Sequence, residues 1–193
     1  MKIVTSNREA WLLKAVVAFD PLLSKAGYPV KKPIYVSVGW PKGRRGVKAG
    51  AIGQCWPGTM SKDGQGHIFI SPSLADSTRV LDVLLHEVGH DIVGCNHGHR
   101  KPFADFCVAV GLLKPWTATT AGPELQVKLE KIVTKLGPYP HASLASISEG
   151  KKQTTRMRKY VCEGCGQIVR AASDDLEITC TPCGKPFTIE VKE

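Results

Sequence analysis

The sequence predicts an α+β protein in two parts, a core of helices around a small three-stranded sheet followed by a small all-β module. Three patterns carry this. Apolar residues recur at helical spacing from Asp76 to Val93, three short stretches bounded by Gly or Pro read as strands, and two Cys-x-x-Cys pairs lie near the C-terminus. The 193 residues admit one medium domain plus an appendage and exclude a large multidomain enzyme. With 42% apolar and 22% charged residues and a mean hydropathy of −0.09, the chain buries a real core, which excludes global disorder.

The first helix is expected from about Asn7 to Lys25, where Trp11, Leu12, Ala15, Val16, Phe19, Leu22 and Leu23 repeat at three and four residues before Gly27 and Pro29. Pro33 to Trp40 alternates Ile34, Val36 and Val38 on one face, and Ala51 to Trp56 and Gly66 to Ile70 supply two more strands. The helix from Asp76 to Val93 has Asp76 or Ser77 as N-cap, a periodic set of Val80, Leu81, Leu84, Leu85 and Val88, and Gly94 as its stop. Further helices are expected over Pro102 to Leu113 and Pro123 to Leu136. The first domain is thus 1–137, the Pro/Ser/Gly/Lys-rich 138–156 a linker, and 157–193 a module too short to fold on an apolar core alone. No run approaches the roughly 20 apolar residues of a membrane helix, so neither a span nor a signal peptide is expected. The expected compartment is a reducing cytoplasm, where Cys55, Cys95 and Cys107 read as packed free thiols.

The formal charge of +9 is uneven. Residues 1–55 hold 10 basic against 2 acidic side chains, 56–150 hold 8 against 9, and 151–193 hold 8 against 6. Lys42, Arg44, Arg45 and Lys48 crowd a Gly-rich stretch, and Lys151, Lys152, Arg156, Arg158 and Lys159 form a second cluster. Both read as contacts to a polyanion, with solvated loops as the alternative. No aromatic-rich stacking surface is visible.

His86-Glu87-Val88-Gly89-His90 matches HExxH within the strongest helix. At 100° per residue the two histidines share one face, one turn apart, so both imidazoles can reach one Zn²⁺ at about 2.0–2.1 Å. Glu87 beside them can take a proton from an activated water and pass it to a leaving amine, which is the chemistry of peptide-bond hydrolysis. A catalytic zinc needs a third protein ligand, and the spacing leaves His97 and His99 open. Were the helix to continue, His97 would lie about 10 Å further along its axis. The chain must therefore turn back, and Gly94 and Gly98 can supply the positive φ. His67, at a strand start, and His141, in the linker, read as ordinary structural histidines.

Cys162, Cys165, Cys180 and Cys183 form C-x₂-C-x₁₄-C-x₂-C, with Gly166 and Gly184 directly after the pairs. This is the spacing of a zinc ribbon: four closed ligands, no place for a water, and a structural role that supplies the folding free energy so small a module lacks.

HEVGHDIVGCNHGHRKPF resembles the SprT-like zinc metallopeptidases, especially the phage-encoded members, in which a third histidine stands four residues before a Phe. His99 stands so before Phe103, so the resemblance implies His86, His90 and His99 as ligands of a catalytic zinc and Glu87 as general base. Arg100 departs from the family, which has Gly there. SVGWP, GQCWP, IFISPSLAD and GLLKPWTATTAGPEL are similar too, so the resemblance covers nearly the whole chain. It implies a gluzincin-like core with a sheet edge for an extended substrate, a ribbon serving as a DNA-binding attachment, and relatives such as Spartan that degrade proteins crosslinked to DNA.

The expectation is a monomeric endopeptidase with two zinc ions, one catalytic and one structural, acting on DNA-associated protein and not on membranes. By analogy the DNA is single-stranded, and a phage-encoded chain would work in its bacterial host's cytoplasm. Two other readings stand beside it: a non-proteolytic DNA-binding or transcription-related zinc protein, and a DNA-independent protease cutting one repressor or host factor.

Overall fold

Asn7 opens the first helix, its side chain accepting from the Ala10 N–H at 3.1 Å. The single helix expected from Asn7 to Lys25 is in fact two, α1 (Arg8–Ala18) and α2 (Asp20–Lys25), with Pro21 in the first turn of the second. Proline has no N–H for the helical ladder, and its ring clashes with the preceding turn, so the apolar periodicity runs on while the hydrogen bonds break. Trp11, Leu12, Ala15, Phe19 and Leu23 are all buried. The computed structural model describes residues 7–40, 51–144 and 157–189, and the chain divides into two units, 1–146 and 147–193.

In the first unit β1 (Ile34–Val38), β2 (Gly53–Trp56) and β3 (Gly66–Ile70) form one sheet in the order β1-β3-β2. β1 runs parallel to β3 with Ile34 opposite Gly66, and β2 runs antiparallel with Cys55 opposite Ile68. The period of two sends Ile34, Val36, Ile68 and Ile70 into the core, while Tyr35, His67 and Phe69 take the other face. Among the described residues β2 is paired on one side only.

Helix α3 (Ser77–Val93) starts where the Asp76 carboxylate accepts from the Arg79 N–H at 2.7 Å, and it ends at Gly94 with φ of +96°. Val80, Leu81, Leu84, Leu85 and Val88 lie fully buried beneath the sheet. α4 (Lys101–Val110) stops earlier than expected, because Gly111 is left-handed and Leu112–Leu113 leave the helix as β4 to pair with β5 (Thr120–Ala121). α5 (Pro123–Leu136) follows between Gly122 and Gly137. Residues 138–144, expected in the linker, pack on the first unit. Tyr139 is 4% exposed with its ring 5.1 Å from that of Trp11, and His141 Nε2 is 2.8 Å from the Pro72 carbonyl. The rest of the expected linker lies outside the described residues.

The second unit is a sheet of order β7-β6-β8, with β6 (Arg158–Cys162) antiparallel to β7 (Ile168–Ala171) and to β8 (Phe187–Ile189). The architecture is therefore mixed α+β, and no described helix is long and apolar enough to cross a membrane.

One glycine governs how α4 meets α3. A Cβ at Gly89 would strike the Phe106 ring, which is wholly buried and has no room to retreat. Helix propensity alone predicts that Gly89→Ala stabilises by about 1 kcal/mol. Overpacking predicts a loss of about 1–3 kcal/mol, and the closeness of the ring makes overpacking win. Urea unfolding is expected to show a lowered midpoint for Gly89→Ala.

Candidate metal centres

His86 and His90 project from adjacent turns of α3, and the chain then reverses. Gly94 and Gly98 both take positive φ, +96° and +52°, around the short turn Cys95–His97. This brings His99 to the start of α4 and back over α3. His90 Nε2 lies 3.2 Å from His86 Nε2 and 3.2 Å from His99 Nε2. Two nitrogens on one tetrahedral zinc, each about 2.0–2.1 Å from it, stand about 3.3 Å apart. The donor set and its spacing therefore fit a zinc ion, with His99 on the exposed side. His97 is not in this cluster.

Phe103 forms the floor. Its fully buried ring stacks on His90 at 3.9 Å and 9°, and meets His86 and His99 at 4.8 and 5.3 Å. Behind His86, Nδ1 lies 2.8 Å from the Thr119 hydroxyl. With the Nδ1–H donating there, the Nε2 lone pair is left free and the ring is aimed. Thr119 sits just before β5, and its carbonyl accepts from Arg79, which also pairs with Asp82 on α3. Sequence reasoning missed Thr119 and Arg79, since nothing in the spacing marks a threonine 33 residues after the histidine it orients.

Burial pushes His86 down to about 3, helped by the neighbouring His90, His99 and Arg79. Burial and then His99 push His90 down to about 4. Both are therefore neutral at pH 7 and ready to ligate. Burial, with Cys95 adding, pushes the Glu87 carboxyl up to about 8, whereas a cation nearby would favour its charged form. Glu87 faces β2, where a Cβ at Gly53 would collide with the carboxyl and with Val83. The glycine is what lets the strand pass over the carboxylate.

In the second unit the four cysteines converge, with their sulfurs all within 4.8 Å of one another. Cys162 to Cys183 is 3.4 Å and Cys165 to Cys180 3.6 Å, well beyond a disulfide bond of about 2.05 Å. The two Cys-x-x-Cys turns are built alike: Gly166 N–H donates to the Cys162 carbonyl at 3.0 Å and Gly184 N–H to that of Cys180 at 2.8 Å. Backbone N–H groups of Cys165 and Gly164 hold the Cys162 thiol down to about 6, while burial pushes the Cys180 thiol up. A Cβ at Gly164 would press on the Cys183 sulfur. The set fits a closed zinc site.

Of the basic residues singled out, Lys42, Arg44, Arg45, Lys48, Lys151, Lys152 and Arg156 lie outside the described residues. Arg158 and Lys159 lie on β6, where Arg158 pairs with Asp174. His67 Nε2 is 3.3 Å from the Ser61 hydroxyl, and His67 is a member of neither cluster. The sequence showed no stacking surface, yet the outer face of the sheet gathers Tyr35, His67, Phe69 and Trp56 from three strands. A cavity of about 540 Å³ opens there beside Trp40 and Lys62. Rings scattered along the chain become neighbours only through cross-strand pairing.

Set against protein-family models, curated proteins and solved structures, the chain matches none of them.

Removing the Thr119 hydroxyl should free the His86 ring: Thr119→Ala is expected to weaken zinc at the histidine centre by about 10–100-fold and to leave the cysteine centre unchanged, as read by titration against a chelator. In metal-free protein His86 and His90, lowered from 6.5, contribute stability that is complete above that pH and lost as pH falls towards 4. Glu87, raised from 4.5 to about 8, acts in the opposite sense, its contribution being lost as pH rises through 8. Two histidines outweigh one carboxyl between pH 6.5 and 4.5, so the unfolding midpoint should drop from pH 7 to pH 5, and His86→Asn with His90→Asn, which leaves the Glu87 contribution alone, should turn that drop into a rise.

Proposed function

We propose that this chain is a zinc-dependent endopeptidase of the SprT-like kind, with a gluzincin-like core, acting on DNA-associated or DNA-crosslinked proteins in a cytoplasmic setting. The observation that carries the reading is the convergence of three imidazole Nε2 atoms at the helix that carries a buried carboxyl, under a strand that among the described residues is paired on one side only.

His86, His90 and His99 would hold the ion, with Phe103 and Thr119 fixing the rings. When bound there, zinc supplies Lewis-acid polarisation of a carbonyl and lowers the pKa of a water. Glu87 takes a proton from the attacking water and delivers it to the leaving amine. The side of β2 that is unpaired among the described residues can hydrogen-bond an extended substrate backbone, drawing it along the strand that crosses Glu87. The cysteine centre would be structural, its ion contributing to folding.

DNA targeting is supported by the basic N-terminal third and by the aromatic sheet face. Bases can stack on such rings with little regard to sequence, and lysines and arginines bind phosphates in a salt-dependent way.

The test is cleavage of a DNA-binding protein by zinc-loaded full chain, wild type beside Glu87→Gln, with and without single-stranded DNA. Wild type is expected to cleave only with DNA and to be suppressed by salt, while Glu87→Gln falls by about 10²-fold or more at unchanged zinc content. Cleavage that ignores DNA and salt would favour a regulatory protease with one protein target. No cleavage by zinc-loaded wild type would favour a non-proteolytic zinc protein.

A further inference from the structure

Two cysteines outside both metal centres meet across the first unit. Cys55 on β2 and Cys95 in the turn after α3 are 40 residues apart in the chain, yet their sulfurs lie 3.2 Å from each other. Both are half-buried. Cys95 lines an open cleft of about 1100 Å³ alongside Trp56, Met60, Asp91 and Asn96. Cys55 stands behind it on the core-facing side of its strand, opposite Ile68. Cys107, the remaining thiol of this unit, is fully buried.

We propose that Cys55 and Cys95 form a reversibly oxidisable dithiol, a modification site that takes a peroxide as oxidant and closes to a disulfide tying β2 to the turn that leads to His99. The step balances as follows. The Cys95 thiolate attacks one peroxide oxygen, the O–O bond breaks, and Cys95 becomes a sulfenic acid while hydroxide leaves. The Cys55 sulfur then attacks the Cys95 sulfur, the S–S bond forms, and the sulfenic hydroxyl leaves as water with the Cys55 proton. Two thiols and one hydrogen peroxide give one disulfide and two waters, the two electrons passing from sulfur to peroxide. A dithiol reductant reverses the bond by exchange.

The order of attack follows from the pair's own chemistry as well as from access. When the pair loses one proton the charge rests on Cys95, whose thiol the hydrogen bond with Cys55 holds below the usual range. The remaining proton stays on Cys55, pushed up first by that hydrogen bond and then by burial. The thiol of the cleft-lining residue is therefore the nucleophile and its partner on β2 resolves it. The resulting bond needs the sulfurs to approach by about 1 Å. It would clamp the strand crossing Glu87 to the segment between His90 and His99. The site does not depend on the chain being a peptidase.

The experiment uses zinc-loaded full chain treated with hydrogen peroxide in about tenfold excess, quenched, alkylated, digested and read by mass spectrometry. The expected product is a linked pair of peptides carrying Cys55 and Cys95, about 2 Da lighter than the two thiol peptides together and separated by dithiothreitol. Cys107 should remain a free thiol. In Cys55→Ser, Cys95 should be trapped by dimedone as the sulfenic acid, and in Cys95→Ser, Cys55 should stay reduced. Finding both cysteines still alkylatable in treated wild type would overturn the proposal. So would oxidation of Cys55 undiminished in Cys95→Ser. The wild-type cross-link is read without any variant, so a substitution that failed to fold would not shield the proposal.

Discussion

The close approach of α4 to α3 over Gly89 is the contact on which the histidine centre depends. With no Cβ at that position, the Phe106 ring sits directly against the α3 backbone, and Phe103, one turn earlier on α4, is carried beneath the imidazoles. His99 stands two residues before α4, so the same approach brings its ring to the two presented by α3. Dispersion and burial around two phenylalanines thus place a polar cluster that has little cohesion of its own, since three imidazoles without a cation repel protons from one another. The glycine between the motif's histidines serves the packing of the next helix rather than the chemistry.

The two candidate centres are held in different ways. At the histidines, the first unit's core, the Phe103 floor and the Thr119 hydroxyl set the rings, so most of the geometry comes from packing. In the cysteine unit there is a three-stranded sheet with only a few buried side chains, among them Tyr160, Cys162 and Cys180. There an ion would hold the fold as much as the fold holds the ion. An exposed rim suits the first and a closed four-sulfur set the second.

Much of this was legible in the chain. Asp76, Gly94 and Gly137 bound their helices because capping and positive φ are local demands of the backbone. HExxH could be placed on one helical face from spacing alone, and the four cysteines could be grouped from theirs. The break at Pro21 was missed because apolar periodicity continued through it. The β4–β5 pairing was missed because two-residue strands have no period to read. Tyr139 looked like linker, yet it docks against Trp11, a contact across the whole length of the first unit.

By itself, the sequence determined the two-part division, the helix that carries His86, Glu87 and His90, and the four-sulfur set, since each rests on spacing within a helical turn or a tight knuckle. It left His97 and His99 as equals on spacing, with only a resemblance to separate them. Tertiary structure brought His99, and not His97, beside His86 and His90 by folding α4 back over Gly89. It also brought Thr119 to His86, Gly53 to Glu87 and Cys55 to Cys95. The reason is one of range: capping, periodicity and ligand spacing act over a few residues, whereas these pairings join segments about 10 to 40 residues apart and exist only once sheet register and helix packing are set.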